Sequence, residues 1–252
     1  MDDHRRGGVA AFFDLDRTLL PGSSLFSLAR ALRRGGYLGT IRLLRLAVGQ
    51  ARFRILAREA DRLIAKTRKA SLLAIRGRSR DALLELARSA VRDDVLGRLY
   101  PRGVALIEAH RDAGHGVFLA SSSPQDYLDV LAEALSMDGA IGTRAEVRDG
   151  RYTGLLDGPL VHRGHKAHRV AALATEGGLE LAASFAYSDS INDLPLLELV
   201  GNPVAVNPDR ALADEARRRE WPILDLRAGR PLLTYPVPPP APIPEGRPTS
   251  PV

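Results

Sequence analysis

Asp14 and Asp16 stand one residue apart at the end of the apolar run VAAFFD, residues 9–14, and Thr18 follows two positions later. Residues i and i+2 of an extended segment project to the same side. Both carboxylates could therefore approach one metal ion and one phosphoryl group, the first as a nucleophile and the second as a proton carrier. Two acids and a threonine after a strand are also the makings of an Asx turn leading into a helix, and this cluster alone does not choose between the two.

Three further clusters raise the same question. Ser121-Ser122-Ser123-Pro124 closes the run GVFLA, residues 116–120. Ser123 as N-cap, Pro124 at N1 and Asp126 at N3 predict a helix start. Capping accounts for Ser123 and Asp126 but not for Ser121, which would lie among open backbone N–H groups suited to an anion. Lys166 sits in HRGHKAH, residues 162–168, where a lysine on a helix surface is ordinarily solvated. His162, His165 and His168 could place two imidazoles on one helix face. No acidic partner lies near them, however, and a helix start falls inside the run, so a metal site is not read there. The last cluster, SDSIND, residues 188–193, follows FAY. A carboxylate pair at Asp189 and Asp193 could hold a hard cation such as Mg²⁺, which takes oxygen ligands. A capping box from Ser190 to Asp193 would account for Asp193 and leave Asp189 over.

The elements that must position these clusters follow from periodicity. Residues 9–14 read as a buried strand. From 24 to 99, Leu, Ala and Ile recur at helical spacing among arginines, with breaks at Gly35-Gly36, Gly49, Gly77 and Gly97. That predicts a bundle of about four or five amphipathic helices. Alternation follows, with helix 103–113, strand 116–120, helix 124–135 and a hairpin of 140–147 and 152–156 across Asp149-Gly150. Helix 164–175, strand 184–188, a short helix 192–199 and strands 203–206 and 223–226 complete the chain. This order predicts an α/β fold, a Rossmann-like, largely parallel sheet with helices on both faces and every cluster at a strand's carboxyl end.

A chain of 252 residues can hold one sizeable core and a smaller accessory unit. The expected division is a core from 1–20 and 100–227, a helical insert from 21–99, and a tail from 228–252. Nine of the 17 prolines fall after residue 230, which predicts a polyproline-like tail outside any packed core. There is no cysteine, which excludes disulfides, thiolate metal sites and cysteine nucleophiles. With no secretory pattern and no run of roughly 18–20 apolar residues, the expected location is the cytoplasm. Residues 21–100 carry 18 Arg+Lys against 6 Asp+Glu, and the remainder 18 against 24. A basic insert over an acidic core points to an anionic substrate or partner, or to attraction between the two units.

Taken in order, DLDRT, SSSP, a Gly-x-Lys element and SDSIND resemble the four motifs of the haloacid dehalogenase superfamily of phosphohydrolases, over residues 9–207. The helical insert after the first motif resembles the C1-type cap of the phosphoserine-phosphatase-like branch (subfamily IB). The resemblance implies a phosphatase in which Asp14 attacks phosphorus and becomes an aspartyl phosphate, with Asp16 as general acid and base. It implies Thr18, Ser121, Ser122, Lys166 and Asn192 around the phosphoryl group. The Asp14 carboxylate, the Asp16 backbone carbonyl and the Asp189 carboxylate would hold Mg²⁺, with Asp193 behind them supporting its waters or Lys166.

Two departures stand out. Ser188 occupies the place of the family's usual glycine. Residues 19–30 (LLPGSSLFSLAR) contain no acid, with Ser23 near the place where phosphoserine phosphatases carry a glutamate for the substrate ammonium. An ammonium buried without a carboxylate is costly, so the expected substrate is a small anionic phosphomonoester other than free phosphoserine. The rival expectations are a lipid phosphate met at a membrane surface by the Arg/Leu helices, residues 37–70 especially, and nucleic-acid binding on the same scaffold. Phe26, Tyr37, Phe53 and Tyr100 give few stacking platforms, which disfavours nucleic acid. No oligomeric state is implied.

Overall fold

The computed structural model describes residues 8–37 and 71–227. Its central strand, β1 (Ala10–Phe13), is buried along its whole length, because layers cover both faces and both must shed water. Ala11 and Phe13 enter one layer, where Phe13 stacks on Tyr187 at 4.5 Å between ring centroids. Ala10 and Phe12 enter the other, where Phe12 stacks on Phe118 at 5.6 Å. Each phenyl ring stabilises the sheet by roughly 2–3 kcal/mol through burial.

Beyond β1 the chain forms α1 (Ser24–Arg34), helical residues 71–75 and α2 (Arg80–Ala90). Arg30 Nη1 lies 3.2 Å from Asp94 Oδ1, and Arg34 pairs with the same carboxylate, tying α1 to the turn after α2. Then come α3 (Pro101–Asp112), β2 (Gly116–Pro124), α4 (Gln125–Ala134) and β3 (Gly139–Thr143). A hairpin of β4 (Ala145–Arg148) and β5 (Arg151–Leu156) leads to α5 (Gly164–Gly177) and β6 (Phe185–Ser188). Last are α6 (Leu194–Leu197), β7 (Asn202–Val206), α7 (Arg210–Arg218) and β8 (Ile223–Leu224).

The main sheet has six strands in the order β3-β2-β1-β6-β7-β8, and every pairing is parallel. α3 and α4 cover one face through Leu106, Ile107, Tyr127 and Leu128; α5, α6 and α7 cover the other through Val170, Leu196, Leu197 and Leu212. The chain winds outward from β1 to β3 and returns on the opposite flank at β6. A crevice therefore opens beside the carboxyl ends of β1 and β6, the position at which doubly wound sheets bind ligands. Asp14 and Asp189 are the first residues beyond those two strands.

The hairpin also receives residues 77–80, which lead into α2. Gly77 N donates to Tyr152 O at 2.7 Å, Tyr152 N to Arg78 O at 3.0 Å, and Arg80 N to Gly150 O at 2.8 Å. Arg80 Nη2 then meets Asp126 Oδ1 of α4 at 2.7 Å, and the Tyr152 hydroxyl donates to the same carboxylate. Asp149 (φ 48°) and Gly150 (φ 70°) make the two-residue turn, a left-handed pair that matches the twist of a tight hairpin.

Three expectations need correction. The first hairpin arm is split, because residues 139–143 pair with β2 in the main sheet and only Ala145–Arg148 pairs with β5. β2 continues through the serines to Pro124, so Pro124 rather than Ser123 precedes α4, and neither Ser123 nor Asp126 caps it. α7, capped by Asp209 accepting from Leu212 N, was not anticipated. Most of the helices expected within 37–70, and the whole 228–252 tail, lie outside the described residues. No helix among the described residues is long and apolar enough to cross a membrane.

Candidate active site

Asp14 leaves β1 with its N–H donated to Tyr187 O at 2.9 Å. Its Oδ1 accepts from Lys166 Nζ at 2.8 Å and its Oδ2 from Thr18 Oγ1 at 3.2 Å. Lys166, in the first turn of α5, also donates to Asp193 Oδ2 at 2.7 Å. All four side chains are buried. Burial works against the charge of Lys166, but Asp14 and Asp193 outweigh it and hold the ammonium above the usual lysine range. Burial likewise pushes the Asp14 carboxyl up to about 6, against the pull of Lys166. An unpaired ion at this depth would cost several kcal/mol, so the ion triad is the condition for keeping a charged carboxylate here. Thr18 holds the nucleophile candidate.

Asp16 turns the other way. Its Oδ1 accepts from Ser24 N at 2.7 Å and its Oδ2 from Ser23 Oγ at 3.2 Å. Ser23 makes no side-chain cap to α1, and the first turn of α1 has no acid. The Asp16 carboxylate thus does the capping from the core, taking a helix N–H that would otherwise lack a partner. Burial raises its pKa, and the bonds from Ser24 and Ser23 pull against that.

At the end of β2, Ser121 is buried and its Oγ accepts from Ser123 N at 3.4 Å. Ser123 Oγ meets Ser24 Oγ at 2.8 Å, which links the end of β2 to the start of α1. Ser122 is exposed, and its carbonyl accepts from Thr143 Oγ1 at 2.9 Å.

After β6, Ser188 Oγ donates to Asp193 Oδ2 at 2.7 Å, a bond that the expected glycine could not make. Asp193 therefore holds Lys166 and Ser188 rather than closing a capping box with Ser190. Asn192 accepts from Arg163 Nε at 3.1 Å and donates to Ser190 Oγ at 3.3 Å. Asp189 is 3% exposed. Burial, and next the charge of Asp14, push its carboxyl up to about 8, while Arg17 opposes them.

Asp14 and Asp189 are two buried carboxylates at adjoining strand ends, each raised by desolvation and by neighbouring acids. Hard oxygen donors with surplus negative charge suit Mg²⁺. Asp16 brings no side chain to this pair, and among the described residues no three acidic or histidine side chains converge on one point. The carboxylate contribution is a pair, not a triad.

Two participants escaped sequence reasoning. Arg17 Nε lies 2.9 Å from Asp189 Oδ2. Asp209 Oδ2 accepts from Ile191 N and Ser190 Oγ at 3.2 Å and so shapes the loop that carries Asp189. The α7 cap at Asp209 was a legible signal; the reach of Arg17 was not.

Residues 11–198 match the family model of the haloacid dehalogenase-like hydrolases. The chain belongs to that family and is an enzyme of phosphatase type. Phosphoserine phosphatase SerB1 of Mycobacterium tuberculosis is 39% identical to it over 222 residues, 88% of this chain and 72% of that protein. A protein of unknown function from Bordetella pertussis Tohama I superposes with a TM-score of 0.75 at 32% identity, covering 86% of this chain and 98% of that one. A substrate-bound phosphoserine phosphatase shares the fold, with a TM-score of 0.60 at 17% identity over 87% of this chain and 95% of that one.

Proposed function

We propose that this protein hydrolyses a small anionic phosphate monoester through an aspartyl phosphate on Asp14. The observation that carries the reading is Lys166 Nζ, 2.8 Å from Asp14 and 2.7 Å from Asp193, in the crevice between β1 and β6. An Asp14 carboxylate oxygen attacks phosphorus, and the bond from phosphorus to the ester oxygen breaks. Asp16 gives its proton to the departing alkoxide, and a carboxyl raised by burial suits that task. Asp16 then takes a proton from water, which attacks phosphorus, releases inorganic phosphate and restores the Asp14 carboxylate. Lys166, Ser121 and Thr18 face the phosphoryl oxygens or hold Asp14 for attack, with Ser122 and Asn192 at the rim. The Asp14 and Asp189 carboxylates and the Asp16 carbonyl, with Asp193 behind them, would hold Mg²⁺, which when bound would supply charge neutralisation for those oxygens.

In this reading residues 1–20 and 100–227 form the catalytic core and 21–99 the cap. Residues 19–30 offer no carboxylate for an ammonium group, which sets free phosphoserine apart from the preferred substrate. Hydrolysis of p-nitrophenyl phosphate should require Mg²⁺, stop with a chelator, and fall by at least roughly a thousandfold in Asp14→Asn. Hydrolysis that survives in that variant would refute the assignment. Phosphoserine, sugar phosphates, nucleotides and lysophospholipids, compared by kcat/KM, identify the substrate class, with phosphoserine expected among the poorest.

A further inference from the structure

We propose that Arg17 is a built-in counter-cation of the active site, seated on Asp189 until a divalent metal ion displaces it. The inference rests on the reading above that Asp14 and Asp189 hold the metal. Arg17 has φ 65°, a left-handed conformation that costs a side-chain-bearing residue about 1 kcal/mol or more. Its backbone is clamped there. Arg17 N donates to Leu20 O at 2.8 Å and to Gly22 O at 3.1 Å, and Arg17 O accepts from Asn207 Nδ2 at 3.0 Å. The clamp aims the side chain back over the end of β6, where Nε reaches Asp189 Oδ2 at 2.9 Å.

The two ends of this pair sit in different surroundings. The Asp189 side chain is 4% exposed and that of Arg17 56%. The guanidinium can withdraw into water at little cost, whereas the carboxylate cannot follow it. Of the charges acting on Asp189, Asp14, Asp193 and Asp209 are negative and Arg17 is positive. Asp189 thus keeps a cation beside it without metal, and a divalent ion approaching the same oxygen meets a positive charge already there. Two cations on one carboxylate oxygen repel, so metal entry and release of Arg17 are coupled. Metal affinity is then a difference between two cations rather than the strength of the ligand set alone.

Isothermal titration of Mg²⁺ into the full-length protein and into Arg17→Met, which keeps the aliphatic stem, tests the exchange. Arg17→Met is expected to bind Mg²⁺ about five- to tenfold more tightly, with Arg17→Lys between it and the wild type. The rise in Tm on saturating Mg²⁺ should also be larger in Arg17→Met, because its metal-free form starts less stable. An unchanged or weaker Mg²⁺ affinity in Arg17→Met, in a variant whose melting shows it folded, overturns the inference and leaves the phosphatase reading standing. Failure of the wild-type protein to bind Mg²⁺ at all would overturn the metal reading and this inference together.

Discussion

Two buried polar clusters share strand β6 and resolve the same problem in opposite ways. At its carboxyl end, the Lys166 ammonium is paired with the carboxyl groups of Asp14 at 2.8 Å and Asp193 at 2.7 Å. Behind the sheet, His110 Nδ1 meets His115 Nδ1 at 2.8 Å and His110 Nε2 meets the Tyr187 hydroxyl at 2.7 Å, with Phe13 and Phe185 edge-on. Among the described residues no carboxylate pairs with these imidazoles, and burial, helped by the repulsion of His115, lowers His110 to about 3. Tyr187 belongs to both clusters: its carbonyl accepts from Asp14 and its hydroxyl meets His110. Burial does not by itself decide whether a group is charged. The partner does: carboxylates face the lysine at the crevice, and a phenol and a second imidazole face His110.

Substitutions that remove one partner test this contrast. Lys166→Met should cost the most, since it leaves Asp14 and Asp193 facing each other without a cation. The expected loss is about 3–5 kcal/mol in urea unfolding, and Lys166→Met with Asp193→Asn should recover part of it. If Lys166→Met is as stable as the wild type, the triad is not holding charge.

The histidine cluster should reveal itself through pH. A group whose folded pKa is depressed contributes stability fully present above its unfolded value, near 6.5, and lost as pH falls towards the folded value. Between pH 6.5 and 4.5 that loss is roughly 2 kcal/mol for His110. The raised Asp14 and Asp189 act with the opposite sign but are common to both proteins, so the difference between wild type and His110→Gln isolates the imidazole. Identical pH slopes would mean that His110 is not held neutral.

Ser123→Ala, which deletes the neutral bond to Ser24, should have the smallest effect. About 1 kcal/mol is expected, read as a fall in Tm of a few degrees. A loss as large as that of Lys166→Met would erase the distinction between charged and neutral contacts.

Much of this arrangement was legible in the chain. The run at 9–14 announced a doubly covered strand because burial on both faces leaves no room for polar alternation, and the parallel sheet followed from the β/α order. What escaped depends on contacts across long sequence separations. Ser123 satisfied every local rule for a helix cap, yet pairing with β3 carried β2 past it, and the hydroxyl went to Ser24. Ala140 to Thr143 alternated smoothly into the hairpin, and only the neighbouring β2 shows why the chain divides at Arg144. Asp16 was read beside Asp14 on one face of an extended segment. The left-handed Arg17 and the open N-terminus of α1 turned its carboxylate elsewhere, and neither feature has a signature of residue type.

Residues 77–80, stitched onto the β4–β5 hairpin, and residues 16–24, leading into α1, are fastened in different ways. At 77–80 the fastening is made by backbone bonds to Tyr152 and Gly150 and by the shared grip of Arg80 and Tyr152 on Asp126. The start of α1 is held instead through side chains, with the Asp16 carboxylate accepting from Ser24 N and Ser23 Oγ, Ser123 Oγ meeting Ser24 Oγ, and Arg98 Nη2 donating to Pro21 O. In the proposed reading, the residue that passes a proton to the departing alcohol is therefore also the one that holds the start of α1 in place.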